Sequence, residues 1–287
     1  MHRLWVVVSV ALAIGASRCA GAGKNPSGQK TQDQVLELLA ASGKAVAAAK
    51  SYESTWLITS SMGSMGAMKT KMEMKMLPRR HKAFMRVLPD KGSTGMMAMG
   101  AAMSQSVMVM DGNTMYMYLP MLHGYYKQTL SPEAVKSMMG GPVNLSNLQH
   151  AMFKYLGTTK FDGKACDAIQ VTPPEMPQTK QMGMTMKMVL YFDKATHRMR
   201  GMRQVMTIKG TPAPPGAPPS AAGHAPMVIT TVGRVVSEKF NVPIPESVFK
   251  FTPPPGTKEL PMPAMPGKGM GPGMGMPGMG LGGAAPH

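Results

Sequence analysis

Cysteine is almost absent from this chain, with 2 residues in 287, Cys19 and Cys166. Cys19 falls in a segment that reads as a secretory signal, so Cys166 is left alone and no internal disulfide frames the fold. Aromatic residues make up 6%, too few for the stacking platforms of nucleic-acid binders, and no tight Lys/Arg run interleaves with them. Acidic residues are scarce, 14 against 31 Lys+Arg, and their thin spread argues against a calcium site. The 7 histidines fall at 2, 81, 123, 150, 197, 224 and 287, without the spacings of a zinc site. A Gly-x-Ser-x-Gly elbow, a phosphate-cradling glycine loop and a dinucleotide fingerprint are missing too. Nothing remains on which to hang a reaction, so the chain reads as a non-enzyme that needs no cofactor.

The first residues carry the marks of export. His2 and Arg3 precede an apolar run, Leu4 to Ala16, which is too short to span a bilayer. Ala20-Gly21-Ala22 then offers a small-x-small cleavage pattern, so residues 1–22 are expected to be a signal peptide and 23–31 a linker. Lipid anchoring at Cys19 is the rival reading, but Arg18 stands where a lipobox wants a small residue. The expected location is the periplasm or cell envelope. A net charge of +17 favours anionic partners such as lipid headgroups or acidic lipoproteins. Export argues against nucleic acid as that partner.

Against these absences stand 35 methionines. In Met72-Glu73-Met74-Lys75-Met76 and Met182-Gly183-Met184-Thr185-Met186-Lys187-Met188 they occupy every second position. A strand sends alternate side chains to opposite faces, so each run lays a row of thioethers on one face and polar groups on the other. Methionine is unbranched and polarizable, which suits a surface that adapts to apolar ligands. Ordinary core built from Met in place of Leu and Ile is the plainer reading of the same residues.

Helical spacing of Val35, Leu38, Leu39 and Val46 predicts a helix from about Thr31 to Lys50, opened by the capping-box pattern Thr31-x-x-Gln34. The period then falls to two. It predicts strands over 54–59, 68–76, 82–88, 106–110, 114–119 and 125–128, with Asp111-Gly112-Asn113 as a hairpin turn. Two short helices are expected next, over 131–139 and 145–155. Strands resume over 157–161, 165–172, 185–192, 198–209 and 227–239. A Pro/Ala/Gly-rich loop over 211–226 and a Met/Gly/Pro tail over 261–287, expected to be disordered, interrupt or follow the pattern. The order describes an α+β protein with a large antiparallel sheet and helices on one face.

Several segments carry a resemblance. They are Tyr52 and Trp56 after the first helix, Asp111-Gly112-Asn113-Thr114-Met115-Tyr116-Met117-Tyr118-Leu119-Pro120, Gly163-Lys164-Ala165-Cys166, Tyr191-Phe192-Asp193-Lys194-Ala195-Thr196 and Pro245-Glu246-Ser247-Val248-Phe249-Lys250-Phe251. Their order resembles the outer-membrane lipoprotein carrier (LolA/LolB-like) superfamily across 32–260, as a divergent exported relative. That resemblance implies an incomplete antiparallel β-barrel, a half-barrel, with helices packed on its concave face and acyl chains of lipid or lipoprotein held in an apolar cavity. Carried onto this chain, Met72, Met74, Met76, Met115, Met117, Met184, Met186 and Met188 would line that cavity. Tyr116, Tyr118 and Val107, on the opposite parity, would take their place if the strands faced the other way. Lys82 falls where the family brings an arginine to its lid, although Lys lacks the planar fork.

Two other functions start from the same residues. Thioethers bind Cu(I), and the tail offers Met270, Met274, Met276 and Met279 with His287 beyond them. A sensor or scaffold of the same fold, working with an envelope membrane-protein partner, is the other.

Overall fold

The computed structural model describes residues 3–4, 32–63, 66–93, 105–139, 151–173, 183–209, 226–261 and 275–276. Nearly all of the expected signal peptide, the linker, most of the Pro-rich loop and nearly all of the tail lie outside them.

Helix α1 spans Gln32–Ala48 and buries Val35, Leu38, Leu39, Ala40 and Val46 along one stripe. Asp33 in its first turn complements the positive end of the helix dipole. Beyond its last turn, the Lys50 N–H donates to Asn241 Oδ1 at 2.8 Å, and Ser51 Oγ donates to the Val242 carbonyl. Those bonds fix where the chain leaves the helix and enters the sheet.

Twelve strands follow: β1 (Tyr52–Ser61), β2 (Ala67–Leu77), β3 (Lys82–Pro89), β4 (Ser106–Asp111), β5 (Thr114–Leu119), β6 (Gly124–Thr129), β7 (Met152–Phe161), β8 (Lys164–Thr172), β9 (Met184–Asp193), β10 (Met199–Ile208), β11 (Met227–Phe240) and β12 (Lys258–Glu259). They form one sheet in the order β12-β6-β5-β4-β3-β2-β1-β11-β10-β9-β8-β7. Every pairing is antiparallel except β12 on β6. Two meanders therefore meet where β11 returns to lie beside β1. The edges, β12 and β7, do not pair with each other, so the architecture is an incomplete barrel. A separate two-residue pairing joins Arg3–Leu4 to Gly275–Met276.

Turn chemistry explains the tight connections. Between β4 and β5 the register leaves only Gly112 and Asn113 as loop, and Gly112 has φ +65°, as a type II′ hairpin requires at its first central position. Between β7 and β8 both Asp162 and Gly163 have positive φ, 50° and 78°, the signature of a type I′ turn. Helix α2 spans Pro132–Met139; Ser131 Oγ accepts from the Ala134 N–H at 3.2 Å, and Pro132 needs no N–H in the first turn.

One expected helix is overturned. Residues 152–155 belong to β7, not to a helix over 145–155, whose earlier part lies outside the described residues. Exposure alternates from Met152 to Leu156, and Phe153 and Tyr155 pack against the core formed by Ile169 and Val171. Period two with aromatic residues facing inward defeats helical propensity here.

The core lies between one face of the sheet and the two helices, in two clusters. One joins Val35, Leu38 and Leu39 of α1 to Trp56, Ile169, Leu190, Phe192 and Val235. The other joins Val46 of α1 and Val135 and Met139 of α2 to Tyr52, Met76, Met85, Met108, Met110 and Met115. The first is aliphatic and aromatic in character; the second is built largely of thioethers.

Candidate functional site

Strand register decides which side chains share a face. Trp56 lies opposite Met72, Ser54 opposite Met74 and Tyr52 opposite Met76. Trp56, Tyr52 and Met76 are core residues beneath the helices, so the even positions of β2 face inward. Met85 then pairs with Met74, Met108 with Met85, and Met117 with Met108. One step along, Met110 pairs with Met115. On the other side of the sheet Met186 lies opposite Met206 and Leu190 opposite Met202. Every methionine of β2, β3, β4, β5 and β9 projects from this inner face. Lys69, Lys71, Glu73, Lys75, Arg86 and Lys187 take the intervening positions and project outward.

All eight methionines singled out from sequence thus stand on one face, in two groups. Met76, Met115 and Met188 are buried at 2%, 4% and 3% exposure. Met72, Met74, Met117, Met184 and Met186 are half-buried, as side chains at the margin of a covered face are. Met85, Met108, Met110, Met202 and Met206 belong to the same face and were not among the expected residues. Met108 and Met110 were legible as an i,i+2 pair within Ser106–Met110, and Met85 was not, because it is the only methionine of β3.

The opposite parity has other partners. Tyr116 stacks on Phe251 at 4.9 Å and 19° between ring planes, and Tyr125 meets the same ring at 5.1 Å. The C-terminal segment around Phe249 and Phe251 therefore packs on the outer face of β4 to β6.

Lys82 also projects outward. Its ammonium pairs with Asp111 at 3.0 Å and Glu246 at 2.9 Å, and those bonds, first to Glu246 and then to Asp111, hold it above the ordinary lysine range. Arg80 joins the same Glu246 carboxylate. The group that reaches the helix is Arg79, whose Nη2 donates to the Ala48 carbonyl at 2.9 Å. The 3-10 turn Pro78–Arg80 ends at His81 in a left-handed conformation, and Lys82, the residue that counting from Pro78 aligns with the family's lid arginine, opens β3 next to it.

Polar groups gather at one end of the inner face. The Tyr52 phenol donates to Glu238 Oε1 at 3.2 Å. Arg198 Nη1 stands 3.8 Å from Glu238 Oε2, and its guanidinium lies 4.3 Å above the Phe240 ring. Burial, reinforced by Glu238 and only partly offset by the nearby Ser54 hydroxyl, drives the Tyr52 phenol far above its usual range. Burial likewise pushes the Glu238 carboxyl up, against the opposing pull of Arg198 and the Tyr52 hydroxyl. Nearby, Asp193 accepts from the N–H groups of Ala195 and Thr196 and from Arg200 Nε at 3.1, 3.0 and 3.1 Å. Burial raises its carboxyl, but the Thr196 and Arg200 bonds outweigh that and hold it below the ordinary value. Among the described residues no cluster of three or more His, Cys, Asp or Glu could hold a metal ion. The tail methionines Met270, Met274 and Met279 lie outside the described residues, and of Met276 only the backbone pairing is described.

No family model and no curated protein matches the chain. Solved structures do. A LolA superfamily protein from Nitrosomonas europaea is 9% identical at a TM-score of 0.33, over 75% of this chain and 97% of that one. Lipoprotein LppX from Mycobacterium tuberculosis is 11% identical at 0.39, over 75% and 99%. An uncharacterized conserved protein from Thermus thermophilus is 11% identical at 0.43, over 78% and 97%.

Proposed function

We propose that the inner face holds the acyl chains of a lipid or lipoprotein, in an exported, carrier-like protein of the cell envelope that catalyses no reaction. The observation that carries this reading is the one-sided distribution of the strand methionines. The thioethers of β2 to β5 and of β9 share a face, part of it under helices and part at its margin, while charges fill the alternate positions of β2 and valines and tyrosines those of β4 and β5. Each buried methionine contributes about 1.5–3 kcal/mol by leaving water. A face of thioethers re-packs around chains of differing length and unsaturation at smaller cost than branched side chains allow. The acyl contacts would fall on Met72, Met74, Met117, Met184 and Met186, with Met76, Met115 and Met188 forming the floor.

Binding of a phospholipid that carries a fluorescent pyrene-decanoyl chain tests the assignment. Met117→Lys and Met186→Glu each place a charge on the inner face and should abolish binding. Unchanged binding in both variants would remove the methionine face from the site.

A soft metal is the second reading. Met74, Met85, Met108 and Met117 lie directly opposite one another on four successive strands, closer than neighbours along one strand, and thioethers select Cu(I). Stoichiometric Cu(I) uptake by the protein in competition with bathocuproine, lost in Met85→Leu, would favour this reading.

A further inference from the structure

Two hydrogen-bond donors break the apolar character of the inner face. The Trp56 indole and the Ser54 hydroxyl are buried, at 3% and 1% exposure. Neither Trp56 Nε1 nor Ser54 Oγ has a hydrogen-bond partner among the described residues. The Tyr52 phenol gives its proton to Glu238, which leaves its oxygen open to the neighbouring Ser54 hydroxyl as a donor, so Trp56 Nε1 is the donor left with no acceptor. Alternation along β1 sends Ser54 and Trp56 to the inner face, beside Met72 and Met74 of β2. The position across from Ile58 on β11 is Gly233, and a Cβ there would meet the Trp56 ring at 3.6 Å and Met202 at 3.4 Å. The indole therefore lies in van der Waals reach of the β11 backbone. Buried donors in folded proteins nearly always find an acceptor, and leaving one unmade is costly in a low-dielectric interior. The orphaned indole N–H beside the half-buried thioethers marks a place that takes an oxygen acceptor from outside the described fold, with the Ser54 hydroxyl at the next inward position able to turn toward the same acceptor.

We propose that Trp56 is the polar anchor of the methionine face, its indole N–H donating to the neutral carbonyl oxygen of an acyl ester, with the Ser54 hydroxyl turning from the Tyr52 phenol to join it. The inference rests on the acyl reading above and adds the chemical class of the group at the head of the chain. A free carboxylate suits the place poorly. Glu238 lies opposite Ser54 with its side chain only 11% exposed, so a second carboxylate would add a like charge in a poorly solvated site. Arg198, the nearby cation, is already engaged by Glu238. An ester carbonyl accepts from both donors without charge, and its chain can continue over Met72 and Met74.

The test follows the Trp56 indole N–H in ¹H–¹⁵N spectra of the full chain, assigned by its loss in Trp56→Phe. Decane, decanoate and 1-decanoylglycerol are added in turn. The anchor predicts that 1-decanoylglycerol moves the indole signal downfield and decane does not. Trp56→Phe then weakens 1-decanoylglycerol binding about five- to tenfold and decane binding less than about twofold. Ser54→Ala, which changes little volume, should weaken the ester in the same direction. Decane binding together with an indole unmoved by the bound ester would overturn the anchor and leave the acyl reading standing. The same holds for decanoate matching the ester, or for decane losing as much as the ester in Trp56→Phe. Failure of all three probes to bind would overturn both.

Discussion

Met85 lies directly opposite Met74 in the β2–β3 register, and the row continues through Met108 and Met117. Four strands thus present thioethers side by side, where most sheets would set Leu, Ile or Val. Cross-strand neighbours are the contacts that stabilise a sheet. Here they are made by the side chain that is least particular about its shape. The arrangement separates two demands, for the deep methionines must support the fold and the marginal ones need only stay apolar.

That division predicts different costs for similar truncations. Met110, fully buried, should lose about 2–5 kcal/mol of stability on change to Ala and less than about 1.5 on change to Leu. Met117→Ala, at a half-buried position, should cost clearly less than Met110→Ala while weakening lipid binding more. Urea unfolding of the three variants beside a binding assay checks both halves. Equal stability losses at 110 and 117 would erase the distinction between floor and margin.

Gly201 is required by packing. A Cβ there would stand 2.3 Å from the Gly233 carbonyl oxygen and 2.5 Å from the Phe161 ring, which stacks on Tyr191 at 4.2 Å. Gly201→Ala should destabilise by about 1–3 kcal/mol or more. Adding Phe161→Ala should not restore the loss, because the backbone contact remains. An unchanged unfolding midpoint for Gly201→Ala would contradict the close approach of β10 and β11.

Asp193 gives a pH signature. Its carboxyl lies below the ordinary value in the folded state, so the unfolded chain binds the proton more readily. The stabilisation is present above the unfolded pKa and disappears as pH falls through the folded one. Asp193→Asn should therefore cost on the order of 1–3 kcal/mol at neutral pH, with the gap closing in acid. A gap that stays constant from neutral pH to acid would show that the charge plays no part.

Glu238 carries the opposite sign. Burial raises its carboxyl, so the folded state holds the proton longer and stability declines as pH rises from the unfolded value through the folded one. Glu238→Gln keeps an acceptor for the Tyr52 hydroxyl and removes that decline. The variant should match or exceed the parent at neutral pH and show no advantage in acid, as thermal unfolding across the range would reveal. A variant less stable at neutral pH would mean that Arg198 outweighs burial.

Period two and turn chemistry made most of the sheet legible. Thr114–Leu119 was bounded to the residue because Gly112 and Asn113 announce the turn before it, whereas the inward parity of Met72 to Met76 stayed open until the register set them beside Trp56 and Tyr52. The Met152–Tyr155 strand was missed because its apolar residues suit either period until Phe153 and Tyr155 find Ile169 and Val171. The ion pairs of Lys82 with Asp111 and Glu246 were not legible, because a left-handed residue at 81 leaves no trace in a count of positions. The partnership of Tyr52 with Glu238 spans the whole domain and depends on β11 returning beside β1, which no local pattern encodes.

The most direct measurement is native mass spectrometry of the protein purified from an envelope fraction with no lipid added, beside Met117→Lys. The account predicts added masses of phospholipid, fatty-acyl ester or lipopeptide on the parent and their loss in the variant. A lipid-free parent that instead binds Cu(I) in stoichiometric amounts, or lipid retained equally by Met117→Lys, would contradict it.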